Sequence, residues 1–118
     1  MKAFLSAVRK LYPTKKLTAI FQPHLFSRTR DFADGFAEAL SSVDTLLLME
    51  IYPAREMPIK GVDSRMLLDK VTIGDKHIAG ADNIKEYVRQ TRPELLVTVG
   101  AGDIDLLVKP LKAILEHV

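Results

Sequence analysis

The stretch LTAIFQPHLFSRTRDFADGFAEAL, residues 17–40, contains a strand and a helix joined by a short polar loop. Its first part, LTAIFQP, is an apolar run ended by a proline, which is typical of a strand buried on both faces of a sheet. Its last part, residues 28–40, carries apolar side chains at helical intervals with charges between them. Those side chains are Phe32, Phe36, Ala37 and Leu40. A buried strand followed by an amphipathic helix predicts an α/β fold.

Strand and helix patterns alternate again downstream. Residues 43–51, VDTLLLMEI, form a second apolar run, and SRMLLDKV at 64–71 reads as a short helix with the preceding Asp63 as its N-cap signal. A weaker strand candidate lies at 77–79, and ADNIKEYVRQ after it has helical charge spacing with Asp82 as a candidate cap.

Both ends of the chain are predicted to be helical. MKAFLSAVRKLYP at 1–13 reads as an amphipathic helix that Pro13 stops. ELLVTVG at 94–100 is the clearest remaining strand, and it leads into a final helix that Pro110 kinks or restarts. The apolar residues of that helix are Leu106, Leu107, Leu111, Ile114 and Leu115. Because the chain opens directly on a helix, we expect it to be a piece of a longer protein.

This alternation implies parallel strands joined by right-handed helical crossovers. We therefore predict a three-layer, doubly wound α/β fold with a mostly parallel sheet. The 118 residues suit one domain, 1–118, because single cores are typically built from roughly 100 to 150 residues.

Composition excludes several classes of function. The net charge of +2 is small and the basic residues are spread along the chain, so nucleic acid is not an expected partner. Cysteine is absent, which excludes disulfides and thiolate metal sites and fits a reducing compartment. No apolar run approaches the ~20 residues that span a bilayer, so we expect no membrane partner.

Ligands of open α/β sheets bind at the carboxyl ends of the strands, where three loops of this chain are informative. The first, QPHLFSRTR, places His24, Arg28, Thr29 and Arg30 near a helix N-terminus. Arginines at a helix N-terminus interact unfavourably with the helix dipole, which favours the interpretation that they bind an anion. A guanidinium can bind a carboxylate or phosphate through two hydrogen bonds at once. The alternative is that both arginines pair with surface acids such as Asp31 or Asp34, and that His24 merely caps the strand.

The second loop, YPAREMPIKGVDS at 52–64, offers Tyr52 for stacking, Arg55 for another anion, and Glu56. Its length favours a functional role. Its composition also fits an ordered surface loop with solvated charges, and we leave both interpretations open.

The third loop, GAGD, ends the last predicted strand. Gly100 and Gly102 would let the backbone approach a ligand closely, and Asp103 is a candidate helix N-cap. It lacks the full GxGxxG fingerprint and equally fits a tight turn.

Metal and nucleotide motifs are missing elsewhere. His77 and His117 stand without ligand partners at recognisable spacing and are predicted to be surface histidines, so no metal site is expected. The chain also lacks the phosphate loop GxxxxGK[ST]. Alone, it should not hydrolyse ATP.

The three loops occur in the same order in one known family. FQPHLFSRTRDF is similar to the FQPHRxxRTRD segment of UDP-N-acetylmuramate:L-alanine ligases, members of the Mur ligase family. YPAREMPIKGVDS resembles their VYPAGExPIxGxDS loop, and VGAGDI resembles their QGAGxI turn. The resemblance extends over nearly the whole chain.

The resemblance implies a Rossmann-like C-terminal domain of a cytoplasmic, three-domain enzyme of peptidoglycan synthesis. In that family an N-terminal domain binds the UDP-sugar, a central domain binds ATP, and the C-terminal domain receives the amino acid. ATP and magnesium produce an acyl phosphate on UDP-N-acetylmuramate, and the amine of L-alanine displaces the phosphate. The implied fragment carries no catalytic residue, binds no cofactor of its own, and is inactive alone.

Carried over by motif, His24, Arg28 and Thr29 would lie at the amino-acid site, with Arg28 as partner of the alanine carboxylate and Arg30 as a less certain second. The arginine that commonly follows the histidine is Leu25 here, and Arg55, which replaces a common glycine, is a candidate substitute.

Two alternatives remain at this stage. Another Mur ligase, such as the one that recycles murein tripeptide, shares the fold, although the HLFSRTR motif favours the alanine enzyme. The other alternative is a non-catalytic anion-binding α/β module, for example a receiver-like domain. A receiver domain needs an acidic cluster and a phosphoacceptor aspartate at its strand ends, where this chain has basic or glycine-rich residues.

Overall fold

A computed structural model describes residues 1–116 and shows helices alternating with strands. The strands are β1 (Leu17–Gln22), β2 (Thr45–Leu48), β3 (Asp75–Ile78) and β4 (Leu95–Gly100). The helices are α1 (Lys2–Leu11), α2 (Phe26–Leu40), α3 (Ser64–Lys70), α4 (Ala81–Thr91) and α5 (Val108–Glu116), and a 3-10 helix spans Asp103–Leu107.

The strands form one parallel sheet in the order β3-β2-β1-β4. β1 lies in the interior of the sheet, where Ile20 pairs with Leu47 on one side and with Thr98 on the other. All six residues of β1 are buried, which confirms the prediction of a strand covered on both faces.

Two hydrophobic cores sandwich the sheet. One joins α1, α2 and α3 to the first face through residues such as Leu5, Leu40 and Leu67. The other joins α4, the 3-10 helix and α5 to the opposite face around Ile84 and Ile104. Because helices cover both faces, the fold is the predicted three-layer, doubly wound α/β class.

Element boundaries differ from the sequence prediction by a few residues. Helix α2 begins at Phe26 rather than 28, and a non-helical Phe32 (φ −114°, ψ 15°) bends it. Strand β2 is shorter than the apolar run at 43–51, since its ladder pairing with β1 covers only Thr45–Leu48, although Val43 and Met49 also pack in the core. Strand β3 begins at Asp75, two residues before the predicted start.

One of the three predicted caps is correct. Asp63 accepts a hydrogen bond from the Met66 N–H at 2.8 Å and caps α3. Asp82 and Asp103 are not caps, since each lies inside the first turn of its helix, and Gly80 and Gly102 occupy the N-cap positions. Glycine is accepted at N-cap positions although it offers no side-chain acceptor.

Pro110 lies where a new helix begins after the 3-10 helix, which was one of the two predicted possibilities. It lies in the first turn of α5, where its missing N–H leaves no intrahelical hydrogen bond unmade. His77 is exposed, with its ring nitrogen 2.7 Å from Asp75, whereas His117 lies outside the described residues. No described helix is both long and apolar enough to cross a membrane.

Candidate functional site

A cleft of about 400 Å³ opens at the carboxyl ends of β1 and β4. The order of the sheet reverses between these two strands, which is where open α/β sheets bind ligands. One wall is apolar, since the rings of Phe21 and Phe36 pack with centroids 5.4 Å apart. The rest of the lining is Met1, Gln22, His24, Arg28, Phe32, Val99, Gly100 and Ala101. The cleft therefore combines an apolar body with two basic side chains.

The first and second loops are joined by backbone pairing beyond the ends of β1 and β2. The Tyr52 N–H donates to the Pro23 carbonyl oxygen at 2.8 Å, and the Leu25 N–H donates to the Tyr52 carbonyl oxygen at 2.8 Å. The rings of His24 and Tyr52 stack with centroids 5.7 Å apart at 14°. His24 and Tyr52, both predicted site residues, are thus brought together by a short extension of the sheet.

Leu25 makes the sharp turn from β1 into α2 with a strained backbone (φ 70°, ψ 137°). Such a conformation costs about 1–3 kcal/mol in a residue other than glycine and persists only where its surroundings impose it. Here the Leu25 N–H donates to the Tyr52 carbonyl oxygen. The Leu25 carbonyl oxygen accepts from both the backbone N–H (3.1 Å) and the hydroxyl (2.8 Å) of Thr29. The turn starts α2 so that its first turn borders the cleft.

The structure separates the two arginines of the motif. Arg30 donates to Asp31 at 2.8 Å, and this ion pair holds the pKa of the Asp31 carboxyl below its usual range. Arg28 lines the cleft, and no carboxylate of residues 1–116 lies within ion-pair distance of it. Asp34, the other acid considered as a partner, pairs instead with Lys70 at 3.1 Å. The surface-pairing interpretation thus holds for Arg30 and not for Arg28.

Thr29 is fully buried, in contrast to its predicted place at the ligand. Its hydroxyl is used within the protein, in the hydrogen bond to the Leu25 carbonyl oxygen. In this structure Thr29 can influence a ligand only by holding the strand-to-helix turn in place.

Both glycines of the third loop are required by contacts inside the protein. At Gly102 (φ 110°) a Cβ would lie 2.5 Å from Cγ of Tyr52, and at Gly100 (φ 121°) it would lie 2.3 Å from the carbonyl oxygen of Gln22. The tight-turn interpretation is therefore supported, because the glycines let the third loop pack against the other two.

The charged residues of the second loop diverge. Arg55 is exposed, whereas Glu56 turns inward and accepts a hydrogen bond from the Ser27 N–H at 3.0 Å and another from the Ser27 hydroxyl. The hydroxyl contact first, and then the N–H contact, lower the pKa of the Glu56 carboxyl. Glu56 is consequently ionised at neutral pH and engaged with α2.

With this geometry in view, comparisons with known proteins identify relatives of the chain. It is 50% identical over 117 residues to the UDP-N-acetylmuramate–L-alanine ligase of Flavobacterium johnsoniae, which covers 99% of the chain and 26% of that protein. The corresponding ligases of Christiangramia forsetii and Porphyromonas gingivalis are 48% and 42% identical over 117 residues. The chain is homologous to a domain of these ligases. It spans about a quarter of their length.

A solved structure supports the fold independently. The chain aligns with a TM-score of 0.62 to a crystallised domain assigned to a UDP-N-acetylmuramate:L-alanyl-gamma-D-glutamyl-diaminopimelate ligase from Haemophilus ducreyi. The alignment covers 96% of this chain and 80% of that chain at 15% identity, so it bears on the fold alone. No protein-family profile matches the chain.

In this ligase-related domain, Gln22 is a buried site residue that sequence reasoning missed. Its side-chain amide donates to the Glu50 carbonyl oxygen at 3.2 Å and approaches Asp103 at 3.5 Å, while its oxygen accepts from the Ile104 N–H at 2.8 Å. It ties the ends of β1 and β2 to the third loop. An amide at the end of an otherwise apolar, buried run was the available signal, because a buried polar group needs partners.

The described part of the ligase-related domain contains no cluster of three or more histidine or acidic side chains able to hold a metal ion. Asp103, the acid of the third loop, faces the Gln22 amide at 3.5 Å. No reaction step is assigned to a metal in this domain.

Proposed function

We propose that the chain, residues 1–118, is the C-terminal domain of a longer, three-domain Mur ligase, and that it receives L-alanine for ATP-dependent joining to UDP-N-acetylmuramate in peptidoglycan synthesis. The observation that carries the proposal is Arg28, a cation without a described acidic partner, at the topological switch point of a domain homologous to these ligases.

The chemistry of Arg28 suits an amino-acid carboxylate. A guanidinium can hold both carboxylate oxygens at once, which fixes the orientation of the ligand as well as its position. Holding alanine by its carboxylate leaves the amine free to point away from Arg28, toward an acyl phosphate presented by another domain. Such alignment can supply several kcal/mol of barrier lowering without any group transfer by this domain.

ATP, magnesium and the UDP-sugar belong in this proposal to the other domains. The chain has no phosphate loop, and its described residues contain no cluster of three or more histidine or acidic side chains. The proposed cytoplasmic location follows from the resemblance of the three loop motifs to those of the Mur ligases. The role of this domain is to position alanine and to exclude water when the domains close.

The same fold could accept a murein tripeptide, and the open cleft of about 400 Å³ has more room than alanine needs. A larger substrate would still use Arg28 for a carboxylate. Measuring ligase activity with L-alanine and with the tripeptide as the amine substrate therefore distinguishes the alanine ligase from the tripeptide-recycling ligase.

The test begins with the coding region immediately upstream, where we expect a central domain with a phosphate loop and a DDYxHHP segment. The full-length protein should release phosphate from ATP only when L-alanine and UDP-N-acetylmuramate are both present. Release with tripeptide but not with L-alanine would assign the recycling ligase. Alanine-dependent ATP hydrolysis by a contaminant-free preparation of residues 1–118 would refute the fragment hypothesis.

A further inference from the structure

Helix α2 begins without a cap from its own segment. Its N-cap residue Leu25 has no side-chain acceptor, and its first turn contains no acid, although it carries Arg28. The first N–H groups of a helix need acceptors, and the positive end of the dipole favours an anion. The helix that presents Arg28 therefore depends on a negative charge from elsewhere.

Glu56 supplies that charge from a loop 29 residues along the chain. One carboxylate oxygen accepts from the Ser27 N–H at 3.0 Å and the other accepts from the Ser27 hydroxyl. The nearby Phe26 N–H also lowers the pKa of the Glu56 carboxyl, although less than the two Ser27 contacts do. Both carboxylate oxygens of Glu56 are therefore engaged with the first turn of α2.

Arg28 follows Ser27 directly, so the cap fixes the turn from which its side chain reaches the cleft. If the cap were lost, the first turn would fray, and the guanidinium would have to be ordered when the ligand binds. Ordering a flexible side chain on binding reduces affinity. We propose that Glu56 is a positioning residue that acts through Arg28, and not a ligand contact. This inference rests on the proposed function of Arg28.

Hydrogen exchange on the 118-residue chain tests the cap itself. Glu56→Ala should raise the exchange rate of the Ser27 amide roughly threefold to tenfold, and Glu56→Gln should give a smaller rise because it keeps one acceptor but loses the charge. Glu38→Gln is the matched control, because Glu38 is an exposed acid of the same helix that pairs with Lys2 at 2.6 Å. Unchanged Ser27 exchange in Glu56→Ala would refute the cap.

Steady-state kinetics on the full-length ligase tests the positioning role. Glu56→Ala should raise the alanine KM roughly threefold to tenfold, with kcat and the ATP KM within twofold of the wild type. The alanine KM of Glu56→Gln should lie between those of the wild type and Glu56→Ala, and the alanine KM of Glu38→Gln should match that of the wild type. A loss of kcat equal to the loss of kcat/KM would instead indicate a role in the transition state.

A double-mutant cycle separates failure of this inference from failure of the proposed function. If Glu56 acts through Arg28, adding Glu56→Ala to Arg28→Ala should raise the alanine KM no further. Fully multiplicative effects would refute the positioning role while leaving Arg28 as the ligand contact. An unchanged alanine KM in Arg28→Ala alone would overturn the proposed role of Arg28, on which this inference rests.

Discussion

Gly102 faces the ring of Tyr52 so closely that a Cβ at position 102 would lie 2.5 Å from Cγ of the tyrosine. Tyr52 is in turn hydrogen-bonded through its backbone to Pro23 and Leu25, at 2.8 Å in each case. Three loops that are far apart in the sequence therefore pack as one unit around Tyr52. Arg28 is presented from the edge of this unit, which links the packing of the glycine turn to the proposed binding site.

Gly102→Ala should destabilise the domain by roughly 1–3 kcal/mol, because the new methyl group meets Tyr52 and the backbone is in a conformation that alanine disfavours. Gly35→Ala is the control: Gly35 lies inside α2, a Cβ added there would meet no atom within 4 Å, and the substitution should stabilise the domain by about 0.5–1 kcal/mol. Chemical denaturation of the two variants measures both changes. Equal stability of Gly102→Ala and the wild type would contradict the packing described.

Arg28→Ala in the full-length ligase should raise the alanine KM roughly tenfold or more, since losing a charge-assisted contact typically costs about 1.5–3 kcal/mol. The alanine KM of Arg28→Lys should fall between those of the wild type and Arg28→Ala, because lysine keeps the positive charge but lacks the planar guanidinium that can bind both carboxylate oxygens. The ATP KM should barely change. If the alanine KM is unchanged, Arg55 becomes the first alternative, since Arg30 is already paired with Asp31.

Arg55→Ala should also raise the alanine KM, if Arg55 compensates for the leucine at position 25. Adding Leu25→Arg should then restore much of the affinity, because arginine tolerates the strained backbone no worse than leucine does. Lys60→Ala removes another exposed cation of the same loop and should have little effect. Equal KM values for all these variants and the wild type would exclude a role for Arg55.

Asp44→Asn should reduce stability at pH 7 by about 1 kcal/mol or less, because the side chain is partly exposed and its ion pair is screened. The Leu17 N–H, at 2.7 Å, and then Arg9 lower the pKa of the Asp44 carboxyl. A lowered pKa contributes stability above the ordinary aspartate value of about 3.9, and that contribution is lost as the pH falls through the folded value.

Denaturation curves of Asp44→Asn and the wild type should therefore converge between about pH 4 and pH 2. Asp34→Asn serves as the control, since this carboxylate is 94% exposed and should change stability by less than about 0.5 kcal/mol at any pH. A stability difference for Asp44→Asn that persists at pH 2 would contradict the assigned cause.

The amino-acid sequence determined the class of the fold and the position of the candidate site. Apolar periodicity is local information, so the buried strand at LTAIFQ and the amphipathic pattern of α2 could be read directly. Parallel strands bring their carboxyl ends to one edge, so convergence of the three loops followed from the order of elements. The motifs of these loops also resemble those of the ligase family, because motifs are local features of the sequence.

Local sequence patterns gave wrong helix caps where more than one nearby residue could occupy the N-cap position. Asp82 has the side chain of a helix cap, yet the bend into α4 falls at Gly80 because the end of β3 sets where the helix begins. Strand limits were likewise too long or too short by a few residues, since ladder pairing depends on the partner strand.

Only the tertiary structure decided which charges are available. Arg28 and Arg30 are equivalent as residue types, but the adjacent Asp31 engages Arg30 while Arg28 borders the cleft. Glu56 reads as a ligand candidate in the sequence and becomes the cap of α2 through a contact across 29 residues. Electrostatic and hydrogen-bond energies depend on distance in space, and pattern along the chain does not record which distant groups the fold brings together.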